Sequence, residues 1–188
     1  VLLKVVNQLL AWASKIGSSC CDLTKDDLLK TAKQNAGLAD WGNESFLTPM
    51  EHLLAEADTS RLTHFARTLT RQALLTALDN RLQVQRLLTE KPEIRDVEIK
   101  RPIFVVGFPR TGTTVLQNLL SLPSNRRALQ FWEMMKPVPL HDDPIKDRRV
   151  RLKKAERTLS LAYWVAPEQR QVHEIQATTL EECWPLFV

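Results

Sequence analysis

Residues 103–120 constrain the fold more than any other stretch of the chain. Ile103, Phe104, Val105 and Val106 form an unbroken run of β-branched and aromatic side chains, the pattern of a strand buried on both faces. Gly107 and Gly112 bound a turn. Val115, Leu116, Leu119 and Leu120 then recur at helical spacing until Pro123. Strand, glycine-bounded loop and helix make one βα unit, which predicts an α/β fold. The two glycines have the spacing of a phosphate-cradling loop. Such a loop holds an anion because successive N–H groups point inward and the next helix presents its positive end. The cation is displaced, however. Thr113 stands where a nucleoside-triphosphate enzyme has Lys, Arg110 lies inside the loop, and Thr114 keeps the hydroxyl. No apolar strand ending in Asp follows to complete a magnesium site. The candidate ligand set is therefore Arg110, Thr111, Gly112, Thr113 and Thr114, for an anion without a β,γ-phosphate pair and with no metal.

The first half has another texture. Thr24 predicts an N-cap ahead of Leu28, Leu29 and Ala32, and Gly37 a helix stop. A short helix is predicted over 49–57, with Pro49 at its first position. A long one follows over about 59–88, with Leu62, Phe65, Leu69, Ala73, Leu75, Leu78 and Leu82 facing the core. Arg61, Arg67, Arg71, Arg81 and Arg86 on the other face read as a solvated surface. Further on, 128–132 reads as a second short strand, 147–161 as a basic helix and 171–188 as an amphipathic helix reaching Pro185. The boundaries drawn from this are a helical region, 1–95, and a βα region, 96–188.

Composition narrows the function classes. The chain has 188 residues, 44% apolar and 26% charged, ordinary globular material. Cys20, Cys21 and Cys183 form no even set and lack zinc-ligand spacing, so a reducing, cytoplasmic setting is expected. No apolar run reaches the roughly 18 residues of a membrane span. A net charge of +4 suits an anionic ligand but does not argue for nucleic acid. The basic helix lacks the interleaved aromatics of an RNA-binding surface.

The loop 107–114 resembles the 5'-phosphosulfate-binding loop of sulfotransferases, and among them the bacterial-type branch with a Pro-Arg-Thr-Gly-Thr-Thr loop. Asn80-Arg81-Leu82, Pro92-Glu93-Ile94, Arg101-Pro102, Trp132-Glu133 and Pro137-Val138-Pro139 are similar to that branch as well. So are Ala166-Pro167-Glu168, His173 and Glu181-Glu182-Cys183. The likeness covers residues 37–188. It implies a P-loop-like sulfotransferase fold, a parallel sheet with flanking helices, of which this chain holds an incomplete part behind a helix-rich first half. It implies 3'-phosphoadenosine 5'-phosphosulfate as co-substrate and a small-molecule or lipid-like hydroxyl or amine as acceptor.

In that scheme Arg110 and the loop amides hold the 5'-phosphosulfate and stabilise charge on the leaving side. The resemblance favours Glu133 as the general base, and the apolar neighbours Phe131 and Trp132 suit that task. His141 is the runner-up base, and His173 is expected to line the acceptor pocket. Glu181 and Glu182 are adjacent and read as a helix surface or a structural ion pair. A kinase-like phosphotransferase and a non-catalytic helical module are the alternatives. No segment matching the family's 3'-phosphate site follows Glu182, so the chain is expected to be the N-terminal portion of a longer protein and to turn over poorly by itself.

Overall fold

The computed structural model describes residues 2–15, 19–108 and 111–186. Packing divides the chain after Ile94 into two compact units.

The first unit is helical. It comprises α1 (Leu2–Lys15), α2 (Lys25–Ala36), α3 (Leu47–Thr59) and α4 (His64–Glu90). Thr24 is the N-cap of α2 by position, although its side chain makes no capping bond. Gly37 ends that helix at φ 65°, with its N–H on the Lys33 carbonyl, a left-handed closure that glycine adopts without a Cβ penalty. Pro49 lies within the first turn of α3 rather than at its first position, where its missing N–H still has no helical partner to lose. α4 starts at His64 because the Thr63 hydroxyl accepts from Ala66 N–H at 3.1 Å. Asn7 of α1 accepts from Phe65 N–H at 3.0 Å, so two of the orphan amides at this helix start are satisfied.

Leu28, Ala32, Trp41, Met50, Leu54, Ala57, Leu78 and Leu82 form the core of this unit. Leu28, Leu78 and Leu82 are fully buried, each contributing about 1.5–3 kcal/mol of transfer free energy. Two expected core positions, Leu69 and Ala73, are exposed instead. The expectation of a solvated face holds for Arg61 and Arg86, which are exposed, but three other arginines correct it. Arg71 is buried; it pairs with Asp27 at 2.5 Å and donates to the Asp22 carbonyl at 2.7 Å. Arg67 bonds the Cys21 carbonyl and Asp58. Arg81 donates to the Trp41 and Asn43 carbonyls and covers the Phe46 ring. These guanidiniums fasten α4 to the turns and helix before it, whose carbonyls have no helical donor.

The second unit differs more from expectation. Among the described residues there is no strand, only a single antiparallel bridge between Gln130 and Leu180. Residues 103–106 carry no strand pairing, and Phe104 and Val106 are 83% and 91% exposed. A strand buried on both faces needs neighbours on both edges, and the described residues supply none. The helix after the loop is present as α5 (Thr113–Leu120). The second expected strand, at 128–132, is replaced by the N-terminus of a short helix, α6 (Phe131–Met135). The basic helix runs longer than expected, as α7 (Pro144–Val165), with Asp143 capping Ile145 and Lys146. The long C-terminal helix does not form. A single turn, α8 (Gln169–Val172), gives way to an irregular run and a 3-10 turn over Trp184–Leu186.

That irregular run does what a helix there could not. The carbonyls of Thr179 and Ala177 accept from Phe131 and Trp132 N–H, both at 3.0 Å, which satisfies the first amides of α6. Tyr163 Oη bridges the backbone of Ile175, accepting at 2.6 Å and donating at 2.9 Å. Phe131, Trp132, Ala155, Leu159 and Ala177 make the core of this unit.

Candidate functional site

The loop is built around two glycines with different tasks. A Cβ on Gly107 would lie 2.8 Å from Thr113 Cγ2 and 2.9 Å from Thr111 Oγ1. The chain therefore curls back until the start of α5 touches the end of the extended segment. Gly112 precedes α5 at φ 87°, a conformation in which any other L-residue is strained. The first helical bond runs from Leu116 N–H to the Gly112 carbonyl at 3.0 Å. This leaves the amides at the front of α5 without helical acceptors. Thr113 and Thr114 sit half-buried there and Thr111 is exposed, its hydroxyl donating to the Phe108 carbonyl at 2.7 Å. Arg110, the cation expected to complete the site, lies outside the described residues. What is described is a close approach of Thr111 and Thr113 to Gly107, a left-handed glycine and a helix start.

Glu133 is the third residue of α6. It forms a capping box with Gln130, whose N–H it accepts at 2.9 Å through Oε2. Its Oε1 is taken by Arg127, whose side chain is 73% exposed. Arg151 lies under this turn. It stacks 4.5 Å from the Trp132 ring and pairs with Asp147 at 3.0 Å, both side chains 8% exposed. Asp147 also accepts from Leu140 N–H at 2.6 Å and His141 N–H at 3.3 Å. Burial pushes its carboxyl up, but these two amides and Arg151 outweigh it and hold it below the usual range. His141 is thus placed at the start of α7.

His173 follows α8, and its Nε2 meets Glu181 at 3.1 and 3.3 Å. Glu181 is neither helical nor on a surface: its side chain is 9% exposed and it also accepts from the Thr179 hydroxyl at 3.4 Å. The Glu181 carbonyl receives the Gln117 amide of α5 at 3.2 Å, and Glu181 N–H reaches the Leu129 carbonyl at 3.4 Å. The run 177–181 therefore ties together α5, which follows the loop, the front of α6, which carries Glu133, and His173. Of the two readings the sequence leaves for Glu181, the structural ion pair is the one found, with His173 as its partner; Gln117 and Arg127 carry no sequence signal. A His and a Glu eight positions apart in irregular backbone have no periodicity that marks them. Among the described residues, no group of side chains has the arrangement of a metal site. No described helix is long and apolar enough to cross a membrane.

Comparison with known proteins bears on this half directly. Residues 102–188 match the sequence profile of the sulfotransferase family. Sulfotransferase STF1 from Mycobacterium tuberculosis H37Rv is similar in structure, with a TM-score of 0.71 and 32% identity, over 87% of this chain and 46% of its own. Sulfotransferase STF9 from Mycobacterium avium gives a TM-score of 0.70 and 31% identity, over 87% of this chain and 42% of its own. The chain spans less than half the length of either. No curated protein sequence matches it. With that profile match, and with these bacterial sulfotransferases as structural relatives, residues 102–188 belong to the sulfotransferase family.

Proposed function

We propose that the protein transfers a sulfuryl group from 3'-phosphoadenosine 5'-phosphosulfate to a hydroxyl or amine of a small or lipid-like acceptor. The observation that carries this is the turn from Gly107 to Thr114. The side chains of Thr111 and Thr113 come too close to Gly107 to leave room for a Cβ there, and the front amides of α5 are available to an anion. The residues present fit the donor's 5'-phosphate: Arg110 supplies the charge, and the amides and hydroxyls of Thr111, Thr113 and Thr114 supply directed donors, with Gly112 setting the turn. The same groups stabilise charge that builds on the leaving oxygen. In-line sulfuryl transfer also removes one proton on the acceptor side. Two groups of the second unit are available for it, Glu133, which the family resemblance favours as general base, and His173. The free thiols of Cys20, Cys21 and Cys183 suit a reducing compartment, the cytoplasm.

Thermal unfolding with added ligand tests the donor site. 3',5'-Adenosine bisphosphate at 100 times its dissociation constant should stabilise the protein by about 2.7 kcal/mol, and Arg110→Ala should abolish the shift. A response to ATP with magnesium, and none to the bisphosphate, would reassign the loop to phosphoryl transfer. Labelled donor offered with a panel of alcohols and amines then identifies the acceptor class.

A further inference from the structure

Glu133 and His173 are not equally equipped to receive the proton. Both oxygens of Glu133 are spent, one on the Gln130 amide and one on Arg127. Its position is that of the carboxylate in a capping box, where the side chain closes the helix start. The His173 ring is held the other way round. Its Nε2 lies against the buried Glu181 carboxylate, its Nδ1 has no partner among the described residues, and the side chain is 39% exposed. A carboxylate on one ring nitrogen keeps the proton there and leaves the lone pair on the other. It also stabilises the imidazolium that forms when that lone pair takes a proton.

We propose that Glu181 is the positioning residue of a His173–Glu181 pair, and that Nδ1 of His173 is the proton acceptor of the transfer. This rests on the sulfotransferase reading given above. The geometry ties the pair to the donor loop through one side chain. Gln117 holds the Glu181 carbonyl at 3.2 Å and stands three and four residues after Thr114 and Thr113, the spacing that puts residues on one helix face. The same run of chain closes the front of α6 through Thr179 and Ala177. In the step, the acceptor's O–H proton goes to Nδ1 as its oxygen bonds to sulfur. The bond from sulfur to the phosphate oxygen breaks, and 3',5'-adenosine bisphosphate departs with the electron pair. The Nε2 proton stays on the ring throughout, hydrogen-bonded to Glu181, which remains ionised, and the imidazolium then returns the Nδ1 proton to solvent.

Two measurements test the pair, one independent of turnover. Diethyl pyrocarbonate acylates the free imidazole nitrogen, and mass spectrometry reads each histidine separately. His173 should react faster than His141, and Glu181→Gln should change its rate at least about threefold while His141 is unchanged. Equal His173 rates in the two proteins overturn the positioning role. In turnover, His173→Asn and Glu181→Gln should each lower kcat by about 100-fold with bisphosphate affinity unchanged. The double variant should be no worse than His173→Asn, because groups that act as a unit are not additive. If Glu181→Gln fails to fold, Thr179→Val, which removes the hydroxyl bonded to Glu181, replaces it in both assays with a smaller effect in the same direction. Near-normal turnover in His173→Asn, with a 100-fold loss in Glu133→Gln, overturns the assignment and returns the proton to Glu133. Failure of the wild-type protein to bind bisphosphate instead counts against the donor site, and the labelling rates still judge the pair.

Discussion

Single residues in the second unit carry opposite kinds of constraint. Gly107 is fixed by space: the nearest atoms to a new Cβ would be a methyl carbon at 2.8 Å and a hydroxyl at 2.9 Å. Gly107→Ala should therefore push α5 off the loop and abolish bisphosphate binding, read by thermal shift, while circular dichroism stays helical. Asp147 is fixed by charge. Its carboxyl is held low in the folded state by the Leu140 amide and Arg151 against the opposing effect of burial. A depressed value means that its contribution is fully present above the unfolded value, near 4, and is lost as pH falls through the folded one. Asp147→Asn should destabilise the protein by about 3 kcal/mol at neutral pH, since Arg151 is left buried without its counter-charge. The gap between variant and wild type should close as thermal melts are taken below about pH 4. Gly107 and Gly112 were legible because turn chemistry is local. The Arg151–Asp147 pair was not, because an i,i+4 pair in a run of charges looks like any solvated one until burial is known.

At the scale of elements, helix starts and stops were read well where a local device sets them. Gly37 closes α2 and Pro92 follows α4 in the sequence, as expected. Faces were read less well. The periodic leucines of α4 did identify Leu78 and Leu82, and Arg61 and Arg86 are exposed as expected, but Arg67, Arg71 and Arg81 are fasteners rather than a wet surface. Arg71 is the strongest of these, because it joins Asp27 of α2 to the turn before that helix. Arg71→Ala should cost about 3 kcal/mol in denaturant unfolding by leaving Asp27 without its partner, whereas Arg86→Ala, exposed and 3.9 Å from Glu90, should cost less than about 0.5 kcal/mol. The tail after α8 shows the reverse error. Its amphipathic pattern predicts a helix, yet its carbonyls are used by the front of α6, and a helix would have consumed them internally.

Over the whole molecule, each unit has its own core, and their protection should differ within a single chain. Hydrogen exchange should show the amides of Leu78 and Leu82 about a thousandfold slower than those of 103–106, because the first open only with the core and the second have no strand partner. Comparable rates would mean that the extended run is paired in solution. The sequence by itself determined the family, the glycine-bounded turn, the helix that follows it and most of the helices of the first unit. All of these depend on residues close together in the chain: left-handed glycines, caps and 3.6-residue periodicity. The tertiary structure decided which charges are buried, that 103–106 finds no strand partner among the described residues, and that Glu181 holds His173. Those outcomes depend on which distant backbone and side-chain groups meet, and burial and hydrogen-bond partners across tens of residues leave no periodic trace.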